Sequence, residues 1–291
     1  MTALAATPYA GASADAIAHH YDVGNDFYRL WLDATMTYSC ALWAEGDTLE
    51  RAQQRKLDHL IALAGAGGAE RVLDVGCGWG SLLRRLVERH GVRHASGLTL
   101  SRAQAQALSA AADARIAVHV ENWSEHRPAQ PYDAIVSIGA FEHFAQFGLP
   151  RHERVAAYRR FFTRCRELLA PGGRLGLQTN VKGSNVRLDR RTATELRFVA
   201  ERIFPESELP WPSEILAASE KLFAVRSVRD DAEHYARTCA AWHERLAAAR
   251  EHATRLVGAS TVEDYLHYLD VTVGHFRRRH LGLLRISFER V

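Results

Sequence analysis

At 291 residues, 47% hydrophobic and 24% charged, the chain has the composition of a soluble globular protein with an ordinary core, built as one large domain or two small ones. Its formal charge of +3 and pI near 8.7 are too mild to argue for nucleic acid, although they tolerate an anionic lipid surface or an acidic carrier protein. Cys40, Cys77, Cys165 and Cys239 are scattered without C-x-x-C spacing, so neither a disulfide framework nor a metal site is expected.

Residues 1–15 are rich in Ala, Gly and Thr and read as a loose tail. They lack the basic start and apolar core of a signal peptide. No apolar run is long enough to span a bilayer, and a reducing cytoplasm is the expected location. An aromatic stretch follows over residues 16–32, dense enough to mean packing onto a core. Asp22, Asn25 and Asp26 around Gly24 suggest a turn within it. Leu57, Leu60, Ile61 and Leu63 recur at helical spacing over residues 48–65, ending in glycines.

From residue 71 short apolar runs alternate with helical stripes. Strands are expected at 71–75, 94–97, 116–120, 134–138 and 175–179. A helix should start at Ser101, a good N-cap, and another should run over 152–169 and stop at Pro171-Gly172-Gly173. Alternation of this kind predicts a doubly wound, mostly parallel α/β sheet of Rossmann-like type. Beyond Thr179 the pattern breaks into a polar, basic stretch. Phe204-Pro205 and Pro210-Trp211-Pro212 then read as a structured loop able to cover a site. A strand at 222–228, helices over 232–256 and 261–278, and a last strand at 281–288 complete the chain. The expected organisation is an N-terminal helical segment, 1–65, closing a cofactor site; a core, 66–180; and a substrate cap with the final strands, 181–291.

The first strand runs into Asp74-Val75-Gly76-Cys77-Gly78-Trp79-Gly80, and Leu82, Leu83, Leu86 and Val87 then open a helix. Strand, glycine turn and helix N-terminus together make a nucleotide-type cofactor site, with the helix amides aimed at the turn. The spacing is G-x-G-x-G rather than the G-x-G-x-x-G of dinucleotide sites. It resembles motif I of S-adenosylmethionine (SAM) methyltransferases, and an NAD-type oxidoreductase is the alternative from another class.

Longer blocks carry a sharper resemblance. These are residues 20–28, Met36-Thr37-Tyr38-Ser39-Cys40, the glycine loop, Gly97-Leu98-Thr99-Leu100-Ser101, residues 137–144, Ile203-Phe204-Pro205 and His234-Tyr235-Ala236-Arg237-Thr238. Over residues 20–288 the chain resembles the cyclopropane-fatty-acid synthases, including the mycolic-acid cyclopropane synthases and methyltransferases. That resemblance implies SAM-dependent transfer of a methyl or methylene group onto a C=C bond of an unsaturated, lipid-like acceptor, through a carbocation. The acceptor it implies is apolar or amphipathic, either free, carrier-bound or at a membrane surface. It places the cofactor contacts at Tyr38, Ser39, Asp74, Gly76, Gly78, Thr99, Gln104 and Trp123. Thr99 and Gln104 would face the ribose and Trp123 the adenine. It also implies a bicarbonate base held by Cys40, Glu142 and Tyr235. Where the family has His and Ile after the fifth strand, Gln178 and Asn180 stand here. Gln178 can still donate from its amide, and Asn180 would act through its backbone. The pocket is nonetheless more polar, which leaves open whether bicarbonate or Glu142 is the base. It also leaves open whether the acceptor is a lipid or a specialised metabolite such as a terpenoid, polyketide or amine.

Taken alone, Cys40 reads as a small buried hydrophobe, Glu142 as a helix-start carboxylate, Tyr235 as a core tyrosine and His143 as a packing or capping residue. The run Arg277-Arg278-Arg279-His280 reads as a solvated helix end. An apolar cavity enclosed by the N-terminal aromatics and the helices after Ala232 is expected beside the cofactor.

Overall fold

Val72, Leu73 and Val75 are all buried in β1 (Arg71–Val75), the mark of a strand covered on both faces. The computed structural model describes Gly11, residues 23–109 and residues 113–291. The tail, Gly11 apart, and the His20-Tyr21-Asp22 start of the first family block lie outside the described residues. Around β1 stand β2 (His94–Thr99), β3 (Ile116–Val120), β4 (Tyr132–Ile138) and β5 (Leu169–Lys182), all parallel. Two further strands, β6 (Phe223–Asp230) and β7 (Leu281–Arg290), extend the β5 edge antiparallel, giving the order β3-β2-β1-β4-β5-β7-β6.

The alternation along the strands sorts the core into two layers. Val72, Ala95, Ala134 and Val136 face Leu57, Leu60 and Ile61 of α2 (Leu49–Leu63) and Leu82, Leu83, Leu86 and Val87 of α3 (Ser81–Arg89). Leu73, Val75, Ile135, Leu175 and Leu177 face Tyr158, Phe161 and Phe162 of α5 (Arg151–Leu168). Between them in the chain lies α4 (Arg102–Ser109), started by Ser101, whose Oγ accepts from the Gln104 N–H at 3.2 Å. The long α5 matches the expected span to within a residue at each end, although a strand and not Pro171 stops it. It ends at Leu168, because Leu169 already pairs with Tyr132 of β4, and residues 170–173 loop out before pairing resumes at Arg174. The strand also runs past the expected core boundary, to Lys182.

A third cluster lies beyond the strand C-terminal ends. It unites Phe27, Tyr28 and Trp31 with Tyr235, Trp242, Tyr265 and Tyr268. Asn25 opens a short helix, α1 (Asn25–Arg29), rather than a turn, and its Oδ1 accepts from the Trp79 indole at 2.8 Å. That bond ties the N-terminal segment to the glycine loop. The polar stretch after β5 contains α6 (Arg190–Phe198), capped by Asp189, and a π turn, Val199–Ile203. The proline loop then leads into α7 (Pro212–Ser219), which the sequence reading missed. The expected helix over 232–256 is two, α8 (Ala232–Ala248) and α9 (Arg250–Val257). The break at Ala249 carries Ala253 back into the aromatic cluster. Last before β7 comes α10 (Ala259–Arg277). Arg277, Arg278 and Arg279 at its end are half-exposed, as expected of a solvated terminus, whereas His280 is buried. Among the described residues no helix is long and apolar enough to cross a membrane.

Candidate active site

Two cavities open beyond the C-terminal ends of β1, β2, β4 and β5, where ligands bind in open α/β sheets. The first is lined by Tyr38, Ser39, Asp74, Gly76, Gly78, Thr99, Gln104 and Trp123, all eight residues assigned to the cofactor from sequence. The second is lined by Cys40, Glu142, Gln178 and Tyr235, the four assigned to catalysis, with Phe204, Leu209, Tyr268, Phe276 and Leu283 as its apolar walls. Tyr38, Ser39, Gly139 and His143 line both, so the cavities meet there.

The segment holding Tyr38-Ser39-Cys40 has little regular structure and is pinned from the side. Asp33 accepts from the Thr37 N–H at 2.8 Å, and Gln53 of α2 donates to the Ser39 carbonyl at 2.8 Å. From α8, Thr238 Oγ1 accepts from the Ala41 N–H at 3.1 Å. The amides of Gly76 and Cys77 donate to the Leu98 carbonyl, at 3.0 and 2.9 Å. These two therefore brace the loop on β2 rather than face a ligand, a use the sequence reading did not foresee. Gly78 has φ +54°, in the left-handed region, and a Cβ added there meets no atom of the described residues within 4 Å, chain neighbours apart.

Asp74 is buried, and its Oδ1 has no hydrogen-bond partner among the described residues. Burial pushes its carboxyl up to about 7, against the pull of the nearby Lys56 cation. Lys56 itself is fully buried on α2, donates to Ser39 Oγ at 2.9 Å, and is pushed down to about 7 by the same desolvation. It lines the first cavity and was missed from sequence. Its signal was a lysine on the same helical stripe as Gln53, Leu57 and Leu60. Thr99 and Gln104, expected on the ribose, bond to each other at 2.8 Å. An orphaned buried carboxylate, a glycine cradle and aromatic walls suit a nucleoside cofactor carrying a cation.

In the second cavity Glu142 sits on a 3₁₀ turn, Phe141–His143, after β4. Its Oε1 accepts from the Asn180 N–H at 2.6 Å, so that backbone group serves Glu142, while Oε2 is buried without a partner among the described residues. Desolvation pushes the carboxyl up to about 7. His143 is more than a packing residue: it lines both cavities, and its Nδ1 bonds Ser207 Oγ at 2.8 Å. Burial pushes it down to about 4, so it is neutral. Burial also raises the Cys40 thiol to about 12 and the Tyr235 phenol well above its usual value. Neither ionises near neutral pH, and Cys40 is no thiolate nucleophile.

Gln178 does not stand alone. Arg285 of β7, fully buried, donates from Nε to Gln178 Oε1 at 2.8 Å. Its Nη1 reaches Asp231, and its Nη2 reaches the carbonyls of Cys40 and Ala41 at 3.2 and 3.0 Å. Because guanidinium only donates, Gln178 must present its oxygen to Arg285. Its amide nitrogen then points to the Cys40 carbonyl, at 3.4 Å. Sequence reasoning missed Arg285, whose signal was a charge inside the apolar run Leu283-Leu284-Arg285-Ile286. Arg285→Met should destabilise the fold by about 3 kcal/mol in urea denaturation. It strands Gln178 and two carbonyls, although Asp231 keeps Arg229 at 2.6 Å.

A family model described as mycolic acid cyclopropane synthetase matches residues 10–286. The chain belongs to the mycolic acid cyclopropane synthetase family. Cyclopropane mycolic acid synthase 2 of Mycobacterium leprae is 34% identical over 291 residues, covering 94% of this chain and 92% of that protein. The solved cyclopropane synthase MmaA2 of Mycobacterium tuberculosis superposes with a TM-score of 0.88 at 31% identity, over 96% of this chain and 99% of that one. The synthase CmaA1, solved with SAH and CTAB, gives 0.87 at 33% identity, over 96% and 99%. The fold of this synthetase family is thus the fold described above, antiparallel edge included.

Proposed function

We propose that the chain transfers a methyl or methylene group from SAM onto a C=C bond of an unsaturated, lipid-like acceptor, through a carbocation, with Glu142 as the base. Membership of the synthetase family makes it a SAM-dependent methyltransferase. The observation that carries the reading is the junction of the two cavities at Tyr38, Ser39, Gly139 and His143. One side is suited to the cofactor, and the other is aromatic with a single unpartnered carboxylate oxygen. The relative solved with both SAH and the detergent CTAB supports an apolar acceptor.

When bound, SAM supplies an electrophilic methyl group on a sulfonium. Thr99, Gln104 and Trp123 would hold its nucleoside end, and Asp74, Ser39 and Lys56 the rest. Tyr235, Tyr268 and Phe204 orient the alkene and offer aromatic faces to the developing cation. Glu142 Oε2 adds negative charge there and accepts the proton that leaves. Loss of a proton from the new methyl group closes a cyclopropane. Loss from a neighbouring carbon gives a methyl-branched alkene, and capture of water gives a methyl-branched alcohol.

The reading needs no bicarbonate, and the strongest donor near Glu142 is already engaged. An anion beside a carboxylate needs donors. The guanidinium of Arg285 is engaged by Asp231, Gln178 and two carbonyls, and the Gln178 amide by Cys40. No step is therefore routed through bicarbonate. Oleic acid, but not stearic acid, should support SAH release, at a rate indifferent to added bicarbonate in carbonate-free buffer. Equal rates with both acids, or a rate that requires bicarbonate, would contradict this reading. A specialised-metabolite acceptor is the second reading, favoured by the unpartnered polar atoms in the same cavity, Asn180 Oδ1 among them.

A further inference from the structure

The second cavity has a polar end that the chemistry above does not use. Thr272 and His275 line it from α10, and both are buried, His275 completely. They lie three residues apart on the helix and so share one face. Among the described residues Thr272 Oγ1 and His275 Nδ1 have no hydrogen-bond partner, and Nε2 has only the Glu195 carboxylate beside it. A helical threonine ordinarily satisfies its hydroxyl on its own helix, and a buried polar group left unmatched costs about 1–3 kcal/mol. Two such side chains next to each other on a cavity wall are a cost that a ligand would relieve.

The chemistry of that ligand follows from the ring. Burial pushes the His275 imidazole down to about 4, so it is neutral, with one donor and one acceptor nitrogen. The Glu195 carboxylate stands 3.3 Å from Nε2, itself held by Arg191 at 2.7 Å. That contact places the proton on Nε2 and leaves Nδ1 an acceptor. Thr272 is free to donate. A hydroxyl matches both at once, giving its proton to Nδ1 and accepting from Thr272. A carbonyl or an ether leaves Nδ1 unmatched. The position is remote from the cofactor. Tyr268, on the same helix, bonds Tyr38 at 3.3 Å at the cavity junction. Thr272 and His275 lie about 6 and about 10 Å further along the helix axis.

We propose that Thr272 and His275 form a hydroxyl-binding subsite, so that the acceptor is an apolar alkene carrying an alcohol at the end remote from the reacting double bond. This rests on the reading of the cavity as the alkene site. The test is binding to the SAH complex of three matched probes: 9-decen-1-ol, its methyl ether and 1-decene. The alcohol should bind at least ~10-fold more tightly than the other two. Thr272→Val and His275→Leu should each narrow that preference, and together remove it. SAH affinity should not change, and the melting temperature should hold or rise, since each change deletes an unmatched buried polar group. The isosteric Thr272→Val alone suffices if the double variant does not fold. Equal binding of the three probes, or a preference that survives both substitutions, would overturn the subsite while sparing the alkene reading. Failure of all three probes to bind would overturn both.

Discussion

Glu142→Gln should bind SAH as the wild type does and turn over about 10²–10³-fold more slowly, the usual loss when a group acting mainly in the transition state is removed. The substitution is conservative where structure is concerned. Oε1 still accepts from the Asn180 N–H, and the side chain keeps its volume. What disappears is the charge and basicity of the unpartnered oxygen. The pH profile separates this role from a packing role. Burial raises the carboxyl to about 7, so the basic form is lost as pH falls through that value. Wild-type turnover should therefore climb with pH up to about 7 and level off above it, and the variant should lack that limb. Stability moves with the opposite sign. The folded state holds the Glu142 proton more tightly than the unfolded chain, so its contribution is fully present at low pH and is lost as pH rises through about 7. Above that pH the glutamine variant should be at least as stable as wild type. Wild-type turnover in the variant would leave Glu142 a structural carboxylate on its 3₁₀ turn.

Gly78→Val should abolish cofactor binding. Wild type is expected to bind SAH in the micromolar range, about −8 kcal/mol, and the variant at least ~100-fold more weakly. Two effects combine. At φ +54° a β-branched residue is strained by about 1–3 kcal/mol. The added Cβ also projects into free space beside the loop, where no atom of the described residues, chain neighbours apart, lies within 4 Å. Because that space is not core, the fold should survive, which circular dichroism would check. Calorimetry showing near-native SAH affinity, or binding of NADH in place of SAH, would contradict the cofactor assignment.

How much of this was legible follows from which signals are local. The glycine loop, β1, β3 and the stripes of α2 and α3 are written in short windows, and their bounds follow from apolar spacing. All twelve expected site residues fall on the two joined cavities: Asp74, the glycines, Thr99, Glu142 and Gln178 lie at or just past strand C-terminal ends, and the segments bearing Tyr38–Cys40 and Tyr235 pack over them. The antiparallel return of β6 and β7 was not legible. Each arrives after a long excursion, and its direction depends on which edge the chain reaches. Lys56 and Arg285 were overlooked for a common reason: a charge inside an apolar pattern reads as an exception, although here each is buried and anchors the Tyr38–Ala41 segment. His275 was hidden next to a basic helix end whose arginines do face solvent.

The account turns on where the methyl group goes. Incubating the enzyme with SAM deuterated in its methyl group and with lipid extract of its own host, then fragmenting the labelled products by mass spectrometry, reads that position directly. The predicted result is label on carbon, at the site of a former double bond in an apolar acceptor. All three deuteriums are retained if the product is methyl-branched, and one is lost if it is a cyclopropane. Label on nitrogen or oxygen, in a Glu142-dependent reaction, would contradict the account.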